Sequence, residues 1–130
     1  MEFFIAKKFA NRSFSEMDEK VREELKKEGF GVITEIDIKK TLKERIDVDF
    51  RNYTILGACN PGFAYKALQA EDKIGILLPC NVVIQETKSG EIEVLAFDPA
   101  SVMMSLDNPE LEKLSTEVRE KLTKVLESLN

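Results

Sequence analysis

Two cysteine tripeptides hold the residues of this chain best suited to chemistry: Cys59-Asn60-Pro61 and Pro79-Cys80-Asn81. They contain the only two cysteines, in mirrored order, each beside a proline and an asparagine. A thiolate is both a nucleophile and a metal ligand, so what matters is whether the fold favours that form. Around Cys59 the sequence does. Asn60 is a good helix N-cap, Pro61 suits the first helical position, and Ala64, Lys66, Ala67 and Leu68 are helix formers. A helix is predicted over 61–70, with Cys59 closing the apolar run before it. The free N–H groups and dipole of a helix start favour negative charge, which lowers a thiol pKa and supports an anion. The candidate ligand-binding residues are therefore Cys59, Asn60, Gly62, Phe63, Cys80 and Asn81. Cys59 would supply a thiolate, Asn60 and the Gly62 and Phe63 N–H groups an anion cradle, and Asn81 a polar contact.

The same residues also read as packing. An unpaired cysteine is among the most buried residue types and behaves as a small hydrophobe. Tyr53, Ile55, Gly57 and Cys59 share one face at period two, and that face can be core. Pro79 interrupts what reads as one long strand, which implies an edge position or a bulge, and a bulge by itself specifies no chemistry. The cysteine separation is not a CxxC, so no thioredoxin-like motif is present. Two thiolates are too few for a metal without carboxylates or a second copy, and no metal site is assigned.

The elements that must position these residues follow from periodicity. Residues 2–8 form a short apolar strand. Ser13 to Glu16 has capping-box spacing, Met17, Val21 and Leu25 recur every four residues, and Gly29 ends the helix. Val32 to Ile38 alternates as a strand, with Asp37 better read as a solvent-facing strand residue than as an acid near the sheet, and Lys39 to Ile46 forms a short helix. Asp47 and Asp49 lie on one face if that segment is extended, as exposed acid pairs commonly do. Strands are predicted at Tyr53 to Cys59, Ile74 to Glu86 and Ile92 to Phe97, the last two joined by Thr87-Lys88-Ser89-Gly90. Asp98-Pro99 ends the last strand, and Val102-Met103-Met104 is a soft apolar loop. Asn108 and Pro109 start a final helix with Leu111, Leu114, Val118, Leu122, Val125 and Leu129 in one stripe. Alternating strands with two segregated amphipathic helices imply an α+β fold, an antiparallel sheet covered on one face.

Composition removes several classes of function. At 130 residues the chain fits a single domain, spanning 1–130, with a real core. A net charge of −5 with no basic cluster argues against nucleic acid. The longest apolar stretch is broken by Pro79 and Asn81, so no membrane span is expected, and no signal peptide is read at the start. The cytoplasm follows by default, and with it free thiols. The chain has no histidine, which removes the commonest general base, the Ser-His and Cys-His dyads and every histidine metal site. GxGxxG, P-loop and GxSxG motifs are absent. Hydrolase or transferase chemistry is disfavoured, no catalytic residue is assigned, and whether the protein is an enzyme stays open.

The run Gly29-Phe30, Glu35-Ile36-Asp37-Ile38 and on to Thr41-Leu42-Lys43-Glu44 resembles the first half of domain-of-unknown-function family 302. Tyr53 through Pro61, Ile74 through Val83 and Asp98-Pro99 resemble its second half, so the likeness spans nearly the whole chain. The resemblance implies a β-α-β-β-β-β-α domain, similar to the TATA-binding-protein-like fold and forming a dimer. It supplies no activity. A homodimer is expected on that ground, and because a strand broken at Pro79 can expose an apolar edge or face. Two functional readings stand: a module binding a small molecule or anion at the cysteines, with or without a thiol taking part, or a structural or protein-interaction dimer with no chemistry there.

Overall fold

Five short segments pair into one antiparallel sheet in the computed structural model, which describes residues 2–130. The strands are β1 (Phe4–Phe9), β2 (Gly31–Asp37), β3 (Tyr53–Cys59), β4 (Cys80–Glu86) and β5 (Ile92–Phe97). Their spatial order is β1-β5-β4-β3-β2, which leaves β1 and β2 at the edges. Two long helices, α1 (Phe14–Lys27) and α5 (Pro109–Ser128), pack on one face, giving the expected β-α-β-β-β-β-α order of principal elements. Three shorter helices occupy connections: α2 (Ile38–Ile46), α3 (Pro61–Ala70) and α4 (Pro99–Met103).

The long helices begin where their caps dictate. Ser13 Oγ accepts the Glu16 N–H at 3.0 Å, and Asn108 Oδ1 accepts those of Glu110 and Leu111 at 3.1 and 3.2 Å. Gly29, at φ +86°, turns the chain out of α1, the left-handed step that glycine makes without a Cβ penalty. Met17, Val21 and Leu25 of α1 and the α5 stripe from Leu111 to Leu129 are buried as their spacing requires. The α1 residues and the stretch of the α5 stripe from Val118 to Leu129 meet Leu56, Ala58, Val82, Ile84, Ile92, Val94 and Ala96 from the sheet. The covered side of β3 is thus Thr54, Leu56 and Ala58, and Tyr53 and Ile55 point the other way.

Three expectations change. Ile74 to Leu78 is not strand: Asp72–Leu77 forms a 3₁₀ helix, and β4 starts only at Cys80. A short apolar run has no period that separates buried strand from buried helix, and Pro79 forces only Leu78 into extended backbone. Pro79 therefore precedes an interior strand rather than breaking an exposed one, and no free edge arises there. Asp37 is the N-cap of α2, accepting the Lys40 N–H at 3.0 Å. The segment after Asp98 is helical, not a loop, because Asp98 Oδ1 caps Ala100 N–H at 3.0 Å and Pro99 takes the first helical position. Asp47 ends α2 in left-handed backbone, and Lys43 bridges it and Asp49. Among the described residues no helix is long and apolar enough to cross a membrane.

Candidate functional site

β3 ends at Cys59 and β4 begins at Cys80, and these strands are antiparallel neighbours, so the two cysteines meet at one end of the sheet. The register pairs Ala58 with Cys80, which puts Cys59 one residue beyond that rung. Both cysteines are free, Cys59 half-buried and Cys80 buried. Both line one cavity of about 60 Å³ between the sheet end and helices α3, α4 and α5. Phe63 and Ala67 come from α3, Met103 from α4, and Leu111, Leu114 and Val118 from α5. The cavity separates the main core from a smaller cluster of Ile74, Met103 and Leu111.

Its wall is almost wholly apolar, because the polar residues that reach it are satisfied elsewhere. Ser115 Oγ donates to the Glu112 carbonyl at 2.9 Å. Asn60 sits at the predicted N-cap of α3, yet its side chain caps nothing. Asn60 Nδ2 instead donates to the Glu28 carbonyl at 3.3 Å, tying the end of α1 to the start of α3. Gly29 leaves room for this: a Cβ there would stand 3.1 Å from Asn60 Nδ2. The start of α3 is left with main-chain N–H groups only, and Pro61 has none to give.

Burial pushes the Cys80 thiol up to about 11, and neighbouring Cys59 adds to the shift. Cys80 is therefore a neutral thiol at ordinary pH. The structure brings Cys59, Asn60, Phe63 and Cys80 of the predicted residues together. Gly62 lies on the first turn of α3 without reaching the cavity wall. Asn81 is exposed on the opposite face of the sheet, since successive strand residues alternate sides.

Sequence reasoning missed α4, and with it Met103. A buried carboxylate holds that helix in place. Asp98 caps it and accepts Arg119 Nε from α5 at 2.9 Å, which sets α4 against α5 with Met103 in the cavity wall. The signal was present: Asp98-Pro99 repeats the Asx-Pro pattern of Asn60-Pro61 and Asn108-Pro109, and all three open helices. Across the sheet, the face away from α1 and α5 carries one apolar row through all five strands: Ala6, Leu95, Val83, Ile55 and Ile36. Phe3, Tyr53 and Ile76 help line a cleft of about 460 Å³ on that side.

Residues 5–129 match the model of the family described as Domain of unknown function DUF302. Comparison with curated proteins finds no match. Among solved structures, the uncharacterized conserved protein DUF302 from Bacillus stearothermophilus is similar over 100% of both chains, with 25% identity and a TM-score of 0.91.

Proposed function

Because the chain belongs to the DUF302 family, whose description assigns no activity, we propose its role from the cavity: it binds a small ligand between the sheet end and α3, α4 and α5, against Cys59 and Cys80. The observation that supports this is that two cysteines distant in sequence both border one cavity. Core cysteines with a purely packing role need no shared space. Phe63 and Asn60 complete that side of the wall, and Gly62 contributes the turn that starts α3. The apolar wall and the diverted Asn60 amide favour a neutral or soft ligand over a free anion. The volume suits a few heavy atoms, several times the roughly 10–15 Å³ that a single water requires. Free thiols fit a reducing compartment such as the cytoplasm.

Xenon tests the cavity, since apolar cavities take up such probes. Dissolved xenon should shift the methyl resonances of Leu111, Leu114 and Val118 saturably, and Leu114→Phe should abolish the response by filling the space. Methyl signals unmoved by xenon in the folded protein would end this reading. The second reading, a homodimer module, draws its support from the uncovered apolar row on the far face, where Asn81 also lies.

A further inference from the structure

The cavity beside the cysteines and the cleft on the far face are adjoining spaces. Leu77, Leu78, Pro79 and Phe97 border both, and all four are half-buried. They come from the end of the 3₁₀ turn, the entry to β4 and the end of β5, so the same few residues partition the two spaces. On the inner side lie about 60 Å³, walled by Phe63, Met103, Leu111, Leu114 and Val118. On the outer side lie about 460 Å³, within the roughly 300–1,000 Å³ that small-molecule sites occupy. Rings dominate that outer wall: Phe3, Phe4, Tyr53 and Phe97. Phe3 is 63% exposed and Ile76 87%, large apolar side chains left in water where they border the cleft. The polar side chains of the cleft are the Tyr53 hydroxyl and the Asn81 amide, and among the described residues no charged side chain borders either space. We propose that cavity and cleft are the two ends of one binding site, which takes a neutral, elongated amphiphile with an aliphatic tail inside and a hydroxyl-bearing aromatic head outside.

This rests on the cavity reading above and names its ligand class. Each space alone is incomplete. The cavity holds only about four to six water-sized groups at roughly 10–15 Å³ each, too few for a drug-sized molecule. The cleft is large enough but open to solvent, whereas ligand sites ordinarily bury most of their ligand's surface. A tail passed through the partition supplies the missing burial, by rotamer changes at Leu78 and Phe97 while β4 and β5 stay paired. Charge decides the head. An ion taken out of water against walls that hold no counter-charge loses its hydration without compensation, so the head is neutral. Aromatic walls favour a ring, because offset and edge-to-face contacts add to the area buried.

The probes are phenol and its 4-n-alkyl derivatives from ethyl to heptyl, titrated into methyl-labelled protein and followed by NMR. Ile76 reports the cleft, and Leu111 and Leu114 report the cavity. We expect phenol to move Ile76 alone, and 4-butylphenol to move all three with one dissociation constant. Each added methylene should tighten binding by up to about fourfold, and the gain should stop at about four to six carbons, when the cavity is full. Leu114→Phe, which fills the cavity, should reduce 4-butylphenol to the affinity of phenol and leave phenol unchanged. Ala67→Leu narrows the same space from α3 and keeps the test readable if Leu114→Phe fails to fold. Affinity that climbs with chain length without a limit, or climbs equally in these variants, marks non-specific surface binding and overturns the proposal. So do alkylphenols that move nothing or move Leu111 and Leu114 without Ile76. Ile76 shifts that follow protein concentration instead of phenol would give the cleft to a second copy and overturn it too. In each of these cases persisting xenon uptake leaves the cavity reading standing, whereas loss of xenon uptake in the wild-type protein would remove that reading itself.

Discussion

Alkylation of Cys80 is the sharpest measurement of how closed its surroundings are. In Cys59→Ala it is the only thiol of the chain. Its pKa rises from 9.0 to about 11 through burial first and Cys59 second, so removing Cys59 leaves the larger cause in place. At pH 8 a thiol titrating at 11 rather than 9.0 has about a hundredfold less thiolate, the reactive species. Iodoacetamide labelling followed by mass spectrometry should therefore run slower by up to about a hundredfold in the native variant than in the same variant in urea, the loss of the Cys59 contribution trimming the ratio and steric closure adding to it. The logarithm of the native rate should climb steadily with pH through 9 and 10. The stability consequence has a definite sign. Between 9 and 11 the unfolded thiol loses its proton and the folded one keeps it, so a contribution fully present below pH 9 is lost as pH rises towards 11. That loss amounts to roughly 2–3 kcal/mol at most. The urea midpoint of Cys59→Ala should fall across that window more than that of Cys59→Ala/Cys80→Ala. Native labelling within a few-fold of the unfolded rate, or a profile that levels off near pH 9, would refute the burial argument.

Two further expectations concern the sheet. Gly57→Ala places a Cβ against Thr34 Oγ1 and 2.8 Å from Pro79 Cγ, so it should cost about 1–3 kcal/mol by urea denaturation, with Thr34→Ala restoring part of the loss; an unchanged midpoint for Gly57→Ala alone would show that the crowding is absent. Sedimentation at micromolar concentration should find a homodimer that buries the row of Leu95, Val83 and Ile55, with Leu95→Lys producing a folded monomer; a wild-type protein that stays monomeric would set the interaction reading aside.

Much of the fold is legible because its signals are local. Ser13 with Glu16 and Asn108 with Pro109 announce the long helices, and the four-residue recurrence of apolar side chains states which face they bury. β3 and β5 fall where their apolar runs fall. Illegible parts depend on partners that the local pattern does not name. Ile33 is the extra residue of a bulge in edge strand β2, where the register shifts between Val32 and Thr34, and nothing in Val-Ile-Thr announces it. Asn60 has the residue type and position of a cap, but the Glu28 carbonyl, 32 residues earlier, takes its amide. Capping preference is a local free energy of about 1 kcal/mol, and one tertiary hydrogen bond is enough to redirect it.

The proximity of the cysteines turns on a single boundary. Read as one strand from Ile74 to Glu86, the sequence leaves Cys80 in the middle of the strand, with no reason to stand near the end of the preceding one. Once Ile74–Leu77 is recognised as a 3₁₀ turn, Cys80 becomes the first residue of β4. Consecutive strands that pair antiparallel set the end of the first beside the start of the second. Cys59 ends β3, so the mirrored order of the two tripeptides becomes a geometric statement: Asn60-Pro61 leads out of the sheet into α3, and Pro79 leads back in. The chain departs and returns at one corner of the sheet, and α3 with the 3₁₀ turn is the excursion between. Helices α4 and α5 then close the corner through the Asp98–Arg119 pair, which walls the space beside the two cysteines. The meeting of the two cysteines thus depends on where one strand starts, and Pro79 marks that start.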